Sequence, residues 1–229
     1  MTLRKEEINR KTLHAITGSV VPALILYIPL YAPHFSWLPV WLTPRLYPLI
    51  LAAFASALLT FVELLRFRNS AVQRLFYSIS GSALRPEESQ KMTGATYIAY
   101  SALGCSLLFI NHPQISFMVL AAFIWGDAAA ALVGQSIGRI KIGEKTIEGS
   151  LGCFAMCIAL FVFVFPHVPR LLEPWKGVMP PCMAFLSTFV ITIMELFPIS
   201  FKKNKVINDN LIVPLITGVI ILLLFPPLQ

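Results

Sequence analysis

Six stretches of this chain contain no Asp, Glu, Lys or Arg: 12–44, 46–62, 92–126, 149–169, 177–194 and 210–229. They run for 33, 17, 35, 21, 18 and 20 residues. A bilayer's hydrocarbon core, about 30 Å thick, is crossed by roughly 20 apolar residues of helix, so most of these runs are one span long and the third is long enough for two. Only 13% of the 229 residues are charged, where a soluble domain has roughly 25%. A water-soluble globule is excluded, and the chain reads as an all-α, polytopic membrane protein.

Polar breaks and prolines divide the runs into about seven spans, at 13–31, 46–64, 94–110, 115–134, 150–165, 178–197 and 211–226, in one integral membrane domain covering 1–229. Asn111-His112-Pro113-Gln114 splits the longest run into a helical hairpin, because proline ends one helix and can begin the next. Arg4, Lys5, Arg10 and Lys11 precede the first run as in a secretory signal, but that run is too long and has no small-residue cleavage site. Counted by alternating loops, 15 of the 18 Lys and Arg fall on one side. The positive-inside rule therefore places the N-terminus in the cytoplasm and the C-terminus outside. The net charge of +7 is then largely topological, and no nucleic-acid partner is expected. Residues 69–80 carry Val72, Leu75, Phe76 and Ile79 at helical spacing, which predicts an amphipathic helix on the cytoplasmic interface. Cys105, Cys153, Cys157 and Cys182 all lie in apolar runs, where thiols pack as small hydrophobes.

An ionised side chain within a span is costly, about 2.5–3.5 kcal/mol or more at the bilayer centre, and marks a site or a buried pair. Glu63, Asp127 and Glu195 are such residues, each in the cytoplasmic part of its helix. Glu63 has Arg66 three residues on, on the same helix face. Asp127 has no adjacent cation, which makes it the strongest functional candidate. Downstream, Gly138-Arg139-Ile140-Lys141-Ile142-Gly143-Glu144-Lys145-Thr146-Ile147-Glu148-Gly149-Ser150 brings three cations and several glycines to the start of a helix. Helix N-termini with basic neighbours bind phosphate. Glu144 interrupts the Gly-Lys pair of a P-loop and a transmembrane helix precedes the segment, so that motif is rejected.

Asp127 and Glu148 offer hard oxygen ligands for Mg²⁺ or another divalent cation, which needs one or two carboxylates plus substrate phosphates. Small residues at Gly126, Ala130, Gly134 and Gly138 are spaced for close approach of a helix or a ligand. Arg10, Lys11 and His14 share a face at the start of the first span. Asn208-Asp209-Asn210 opens the last span, where one of the three suffices for capping.

Taken together, Arg10-Lys11-Thr12-Leu13-His14, Glu63-Leu64-Leu65-Arg66, Arg85-Pro86-Glu87-Glu88, Thr93-Gly94-Ala95-Thr96, Gly126-Asp127, Lys145-Thr146-Ile147-Glu148-Gly149-Ser150 and Asn208-Asp209-Asn210-Leu211 resemble the CTP-dependent lipid kinases. That family includes dolichol, phytol and farnesol kinases and the CTP-dependent diacylglycerol kinase, and is distantly similar to phosphatidate cytidylyltransferases. The resemblance implies a multi-pass enzyme that uses CTP and a divalent metal to phosphorylate the hydroxyl of a membrane lipid alcohol at the cytoplasmic face. The host would be the inner membrane of a bacterium or an endomembrane. Expected catalytic residues are Asp127, Lys145, Glu148 and Asp209, with Asp127 and Glu148 on the metal. Expected phosphate and nucleotide contacts are Arg10, Lys11, His14, Gly134, Gly138, Arg139, Lys141, Gly149, Ser150, Asn208 and Asn210. Glu63, Arg66, Arg85, Glu88 and Glu195 are expected to support them. Asp127, Asp209 and His14 are the candidates for taking the hydroxyl proton. The competing readings are phosphatidate cytidylyl transfer, whose His-Gly-Gly and Asp-Arg elements the chain lacks, and a transporter, which would need polar residues through the outer half of the bundle.

Overall fold

The longest apolar helices set the architecture. In a computed structural model, which describes residues 5–34, 42–80, 91–197 and 208–227, eight α-helices follow in order among the described residues. They are α1 (Lys5–Tyr31), α2 (Leu46–Arg68), α3 (Ser70–Ser80), α4 (Gly94–Leu108), α5 (Pro113–Ile137), α6 (Ile147–Ala159), α7 (Pro181–Leu196) and α8 (Asp209–Leu224). Three helical segments, Leu46–Arg68, Pro113–Ile137 and Ile147–His167, are long and apolar enough to cross a membrane, and four shorter apolar helices accompany them. At 1.5 Å per residue, the 25 residues of α5 reach about 37 Å.

α5 is the axis of the bundle, touching α1, α4, α6, α7 and α8. Its middle is buried almost all round, from Ile115 to Ala130, as expected of a helix apolar on every face. By contrast, α2 leaves Ile50, Phe54, Leu58 and Phe61 exposed, a surface suited to lipid rather than water. Trp125 on α5 donates to Ser19 Oγ on α1 at 2.9 Å, and Ser19 donates onward to Ala15 O. Pro22 and Pro29 lie inside α1; packed neighbours let a membrane helix tolerate proline.

Polar residues at the ends shift the helix boundaries from those read in the sequence. α1 begins at Lys5 rather than 13, and α2 continues to Arg68 rather than 64, because a helix need not stop where its apolar run does. α6 continues as a π turn over Leu160–Val164 and a 3-10 turn over Phe165–His167, where Pro166 removes an amide donor. The expected turn at Asn111-His112 is present: Pro113 opens α5, and Arg45 donates to Asn111 Oδ1 at 2.7 Å. The amphipathic helix is present as α3. Asn69 separates it from α2 and caps it, its Oδ1 accepting from Ala71 N at 2.8 Å.

The architecture is all-α, with one short non-helical element among the described residues. Between α5 and α6, Lys141–Ile142 (β1) and Lys145–Thr146 (β2) form an antiparallel hairpin, with Lys141 opposite Thr146 and Ile142 opposite Lys145. Gly143, at φ +60°, takes the first turn position, where two-residue hairpins commonly need a glycine. The glycine-rich segment is therefore an ordered device with a fixed register.

Candidate functional site

The hairpin register determines where its cations go. Lys141 is exposed and Arg139 is exposed just before it, while Lys145 turns inward. The Lys145 ammonium donates to Glu195 Oε1 in the last turn of α7. It also lies in the electrostatic field of Asp127 on α5 and Asp209, the first residue of α8. Four side chains, from α5, the hairpin, α7 and α8, thus share one electrostatic neighbourhood, in which Lys145 and Glu195 are in contact. Burial lowers the lysine pKa, but attraction from Glu195, then Asp127 and Asp209, outweighs it, and the net displacement is upward.

Among the described residues the cluster is acid-rich: three carboxylates against one ammonium give a formal charge of −2. Glu195 is 3% exposed. Its Oε2, like Asp209 Oδ1, is buried with no hydrogen-bond partner among the described residues. A buried anionic oxygen left unsatisfied is costly, so the cluster suits a further cation. Among the described residues, no group of three or more His, Cys, Asp or Glu side chains is arranged to hold a metal ion by itself. A divalent ion would therefore need ligands from substrate as well, the usual situation for Mg²⁺.

The other residues singled out in the sequence take various positions. Glu148 stands at the start of α6, and both of its carboxylate oxygens accept from Ile140 N, at 3.3 and 3.2 Å. Its bonds fasten the hairpin to α6. Thr146 caps α6, accepting from Gly149 N at 3.1 Å, and Ser150 Oγ donates to Thr146 O at 3.2 Å. The glycines make the α5–α6 contact possible. A Cβ on Gly134 would lie 2.8 Å from Thr146 Oγ1, one on Gly138 2.2 Å from Gly134 O, and one on Gly149 2.8 Å from Ala130 O. Gly126 gives way to the thiols of Cys157 and Cys153, which are free, buried packing groups. Asn208 caps α8, its Oδ1 accepting from Asn210 N at 3.0 Å, and Asn210 Nδ2 donates to Gly94 O on α4 at 3.3 Å. These two bonds fix the start of α8, and with it Asp209.

Glu63 and Arg66 form a separate buried pair. The Glu63 carboxylate accepts from Arg66 Nε, Thr93 N (2.8 Å) and Thr96 Oγ1 (3.1 Å), so it caps α4. The Arg66 guanidinium reaches Lys91 O and lies 4.7 Å and 4.8 Å from the ring centroids of Phe67 and Phe76. This arrangement docks α3 and α4 onto α2. The side chains of Arg10, Lys11 and His14 on α1, and residues Arg85 and Glu88, lie outside the described residues.

Sequence reasoning missed the Lys145–Glu195 contact, which spans 50 residues. Its one signal was an acid in an otherwise apolar run. The hairpin did leave a trace, in the alternation of Ile140 and Ile142 before Gly143. Away from this end, a cavity of about 800 Å³ opens between α1 and α2, walled by Val20, Leu24, Tyr27, Tyr31, Ile50 and Phe54 among others.

The fold and cluster define an apolar-helix membrane protein with a buried acidic site into which, among the described residues, Lys145 turns inward. Its relatives are consistent with that class. The chain is 30% identical over 135 residues to a probable chloroplastic phytol kinase of Glycine max, a match covering 55% of this chain and 42% of that protein. It is 23% identical over 233 residues to a probable chloroplastic phytol kinase of Triticum aestivum, covering 97% of this chain and 69% of that protein. An uncharacterized protein of Rickettsia prowazekii is 23% identical over 217 residues, with 91% and 90% covered. The match to the soybean protein thus spans less than half of that relative's length. No family model matches the chain, and no solved structure does. These distant relatives support a lipid-kinase-like family.

Proposed function

We propose that the protein is a CTP-dependent kinase that transfers the terminal phosphoryl group of the nucleotide to the hydroxyl of a membrane lipid alcohol at the cytoplasmic face. The observation that carries this reading is the Lys145–Glu195 contact at one end of an apolar bundle, within the electrostatic field of Asp127 and Asp209. Phosphoryl transfer depends mainly on positioning and on neutralising phosphate charge. Lys145 is the inward cation for that purpose, with exposed Arg139 and Lys141 beside the approach. Asp127 and Asp209 would hold Mg²⁺ together with the phosphates. When bound, that ion would neutralise charge on the nucleotide. In the reaction, the lipid oxygen bonds to the terminal phosphorus as the bridging P–O bond to the leaving CDP breaks, and the hydroxyl proton passes to a carboxylate of the cluster and on to water.

The apolar helices and phytol-kinase-named relatives support a lipid alcohol as acceptor, prenol-like or diacylglycerol. The apolar cleft between α1 and α2 would suit a hydrocarbon chain. The host would be a bacterial inner membrane or an endomembrane, with the cluster on its cytoplasmic side. The test is to incubate purified protein with CTP or ATP, Mg²⁺ and a panel of prenols and diacylglycerols. CDP together with a lipid phosphate supports the proposal. Pyrophosphate with a CDP-lipid from phosphatidate would identify a cytidylyltransferase instead, and no turnover with any pair would remove the kinase reading.

A further inference from the structure

Two acid–base pairs sit near the same end of the bundle, and they are built differently. In Glu63–Arg66 both side chains are sealed, at 2% and 0% exposure, and both carboxylate oxygens are bonded. Neither side chain of this pair reaches water, and the pair serves the packing of α2, α3 and α4. In Lys145–Glu195 the lysine side chain is 32% exposed and the glutamate 4%. Glu195 uses one oxygen on the lysine, and the other, buried, has no partner among the described residues. The donor is on a surface hairpin with a long, rotatable stem, whereas the acceptor is set in the last turn of a packed helix. The lysine of this pair can therefore swing toward water while its acceptor stays fixed, which the sealed Glu63–Arg66 pair does not allow.

We propose that Glu195 is a positioning residue that holds the Lys145 ammonium inside the acidic cluster while the site is empty and releases it to an incoming phosphate. The inference rests on the kinase reading for the identity of that phosphate, but the Lys145–Glu195 coupling can be measured without any nucleotide. Groups facing Lys145 are Asp127 from α5, Glu195 from α7 and Asp209 from α8. Cys157 of α6 lies in the field of Glu195. Without Glu195, the ammonium loses its hydrogen-bond acceptor and moves away from the cluster toward water. Releasing the lysine needs only side-chain rotation, so the hairpin backbone can keep its register.

The experiment is acylation of Lys145 by an amine-reactive ester at one fixed pH, in detergent with chelator and no nucleotide, read by peptide mass spectrometry. The wild-type lysine labels slowly. In Glu195→Gln it labels faster, by about tenfold, the equivalent of losing one charge-assisted hydrogen bond. Glu195→Asp keeps the charge but withdraws it by one methylene, and gives an intermediate rate. It also serves if the glutamine variant does not fold. Equal rates in wild type and both variants would overturn the proposal. With an active nucleotide, Glu195→Gln raises KM more than it lowers kcat, and adds nothing further in a Lys145→Met background. Additive losses would mean that Glu195 acts on substrate directly, which also overturns it. If labelling behaves as stated but no nucleotide is turned over by wild type, the kinase reading fails while the coupling stands.

Discussion

Replacing Glu63 by leucine removes the acceptor for three donors, Arg66 Nε, Thr93 N and Thr96 Oγ1, and leaves a guanidinium buried at 1% exposure without its carboxylate. Breaking a buried pair from one side costs about 3–5 kcal/mol. The stranded Thr93 amide falls within the same loss, so about 4 kcal/mol is the expected total. At roughly 2–4 °C per kcal/mol for a chain of this size, the unfolding temperature should drop by about 8–16 °C. The assay is heating in detergent followed by size-exclusion chromatography of the surviving fraction, wild type beside variant. The double variant Glu63→Leu with Arg66→Met removes both charges and should recover most of the loss, because apolar replacements of a buried pair are often close to neutral. A single variant within about 3 °C of wild type, which corresponds to roughly 1 kcal/mol, would refute the reasoning. So would a double variant no better than the single one.

Other consequences are direct. Gly149→Ala sets a Cβ 2.8 Å from Ala130 O and 3.2 Å from Gly134 Cα; these backbone atoms cannot rotate away. The expected cost is about 1–3 kcal/mol, measured by the same heating assay. Gly143→Ala meets nothing within 4 Å but must hold φ +60°, for about 1–2 kcal/mol; a larger loss than for Gly149→Ala would contradict the packing account. The Lys145 pKa is raised on folding above its usual 10.5, so its stabilising contribution is complete below about pH 10.5 and fades as pH rises through the folded value. The gap in unfolding temperature between wild type and Lys145→Met should therefore narrow above that pH, and a gap constant to pH 12 would contradict the assignment. Lys145→Met should also lower kcat/KM by about 100-fold or more, as loss of a charge-assisted phosphate contact predicts; wild-type kinetics would remove Lys145 from the site.

Much of the helix order was legible because hydrocarbon burial writes itself into uninterrupted apolar runs, and proline and asparagine mark where those runs turn, as at Asn69 and Pro113. The capping signals at Asn208 and the small-residue spacing along α5 are similarly local. What the sequence did not disclose depends on contacts between distant segments. Nothing near Lys145 announces that its partner is Glu195, and nothing near Glu148 announces that its carboxylate accepts from the Ile140 amide. The fold puts Glu195 and Asp209, from helix ends 14 positions apart in sequence, in the field of Lys145 together with Asp127. In the hairpin segment the sequence shows three glycines and three cations but not the glycines' separate places: Gly143 serves a tight turn, and Gly138 and Gly149 let α5 and α6 approach.

The central claim is phosphoryl transfer at the Asp127–Lys145–Asp209 end of the bundle, and the most direct measurement follows the terminal phosphate itself. CTP labelled only at its terminal phosphorus is supplied with Mg²⁺ and a prenol to wild type and to Asp127→Asn, with folding of the variant verified by chromatography. The account predicts label in the lipid phosphate for wild type and none for the variant. Label that stays in water-soluble products with wild type, or reaches the lipid equally with both proteins, would contradict it.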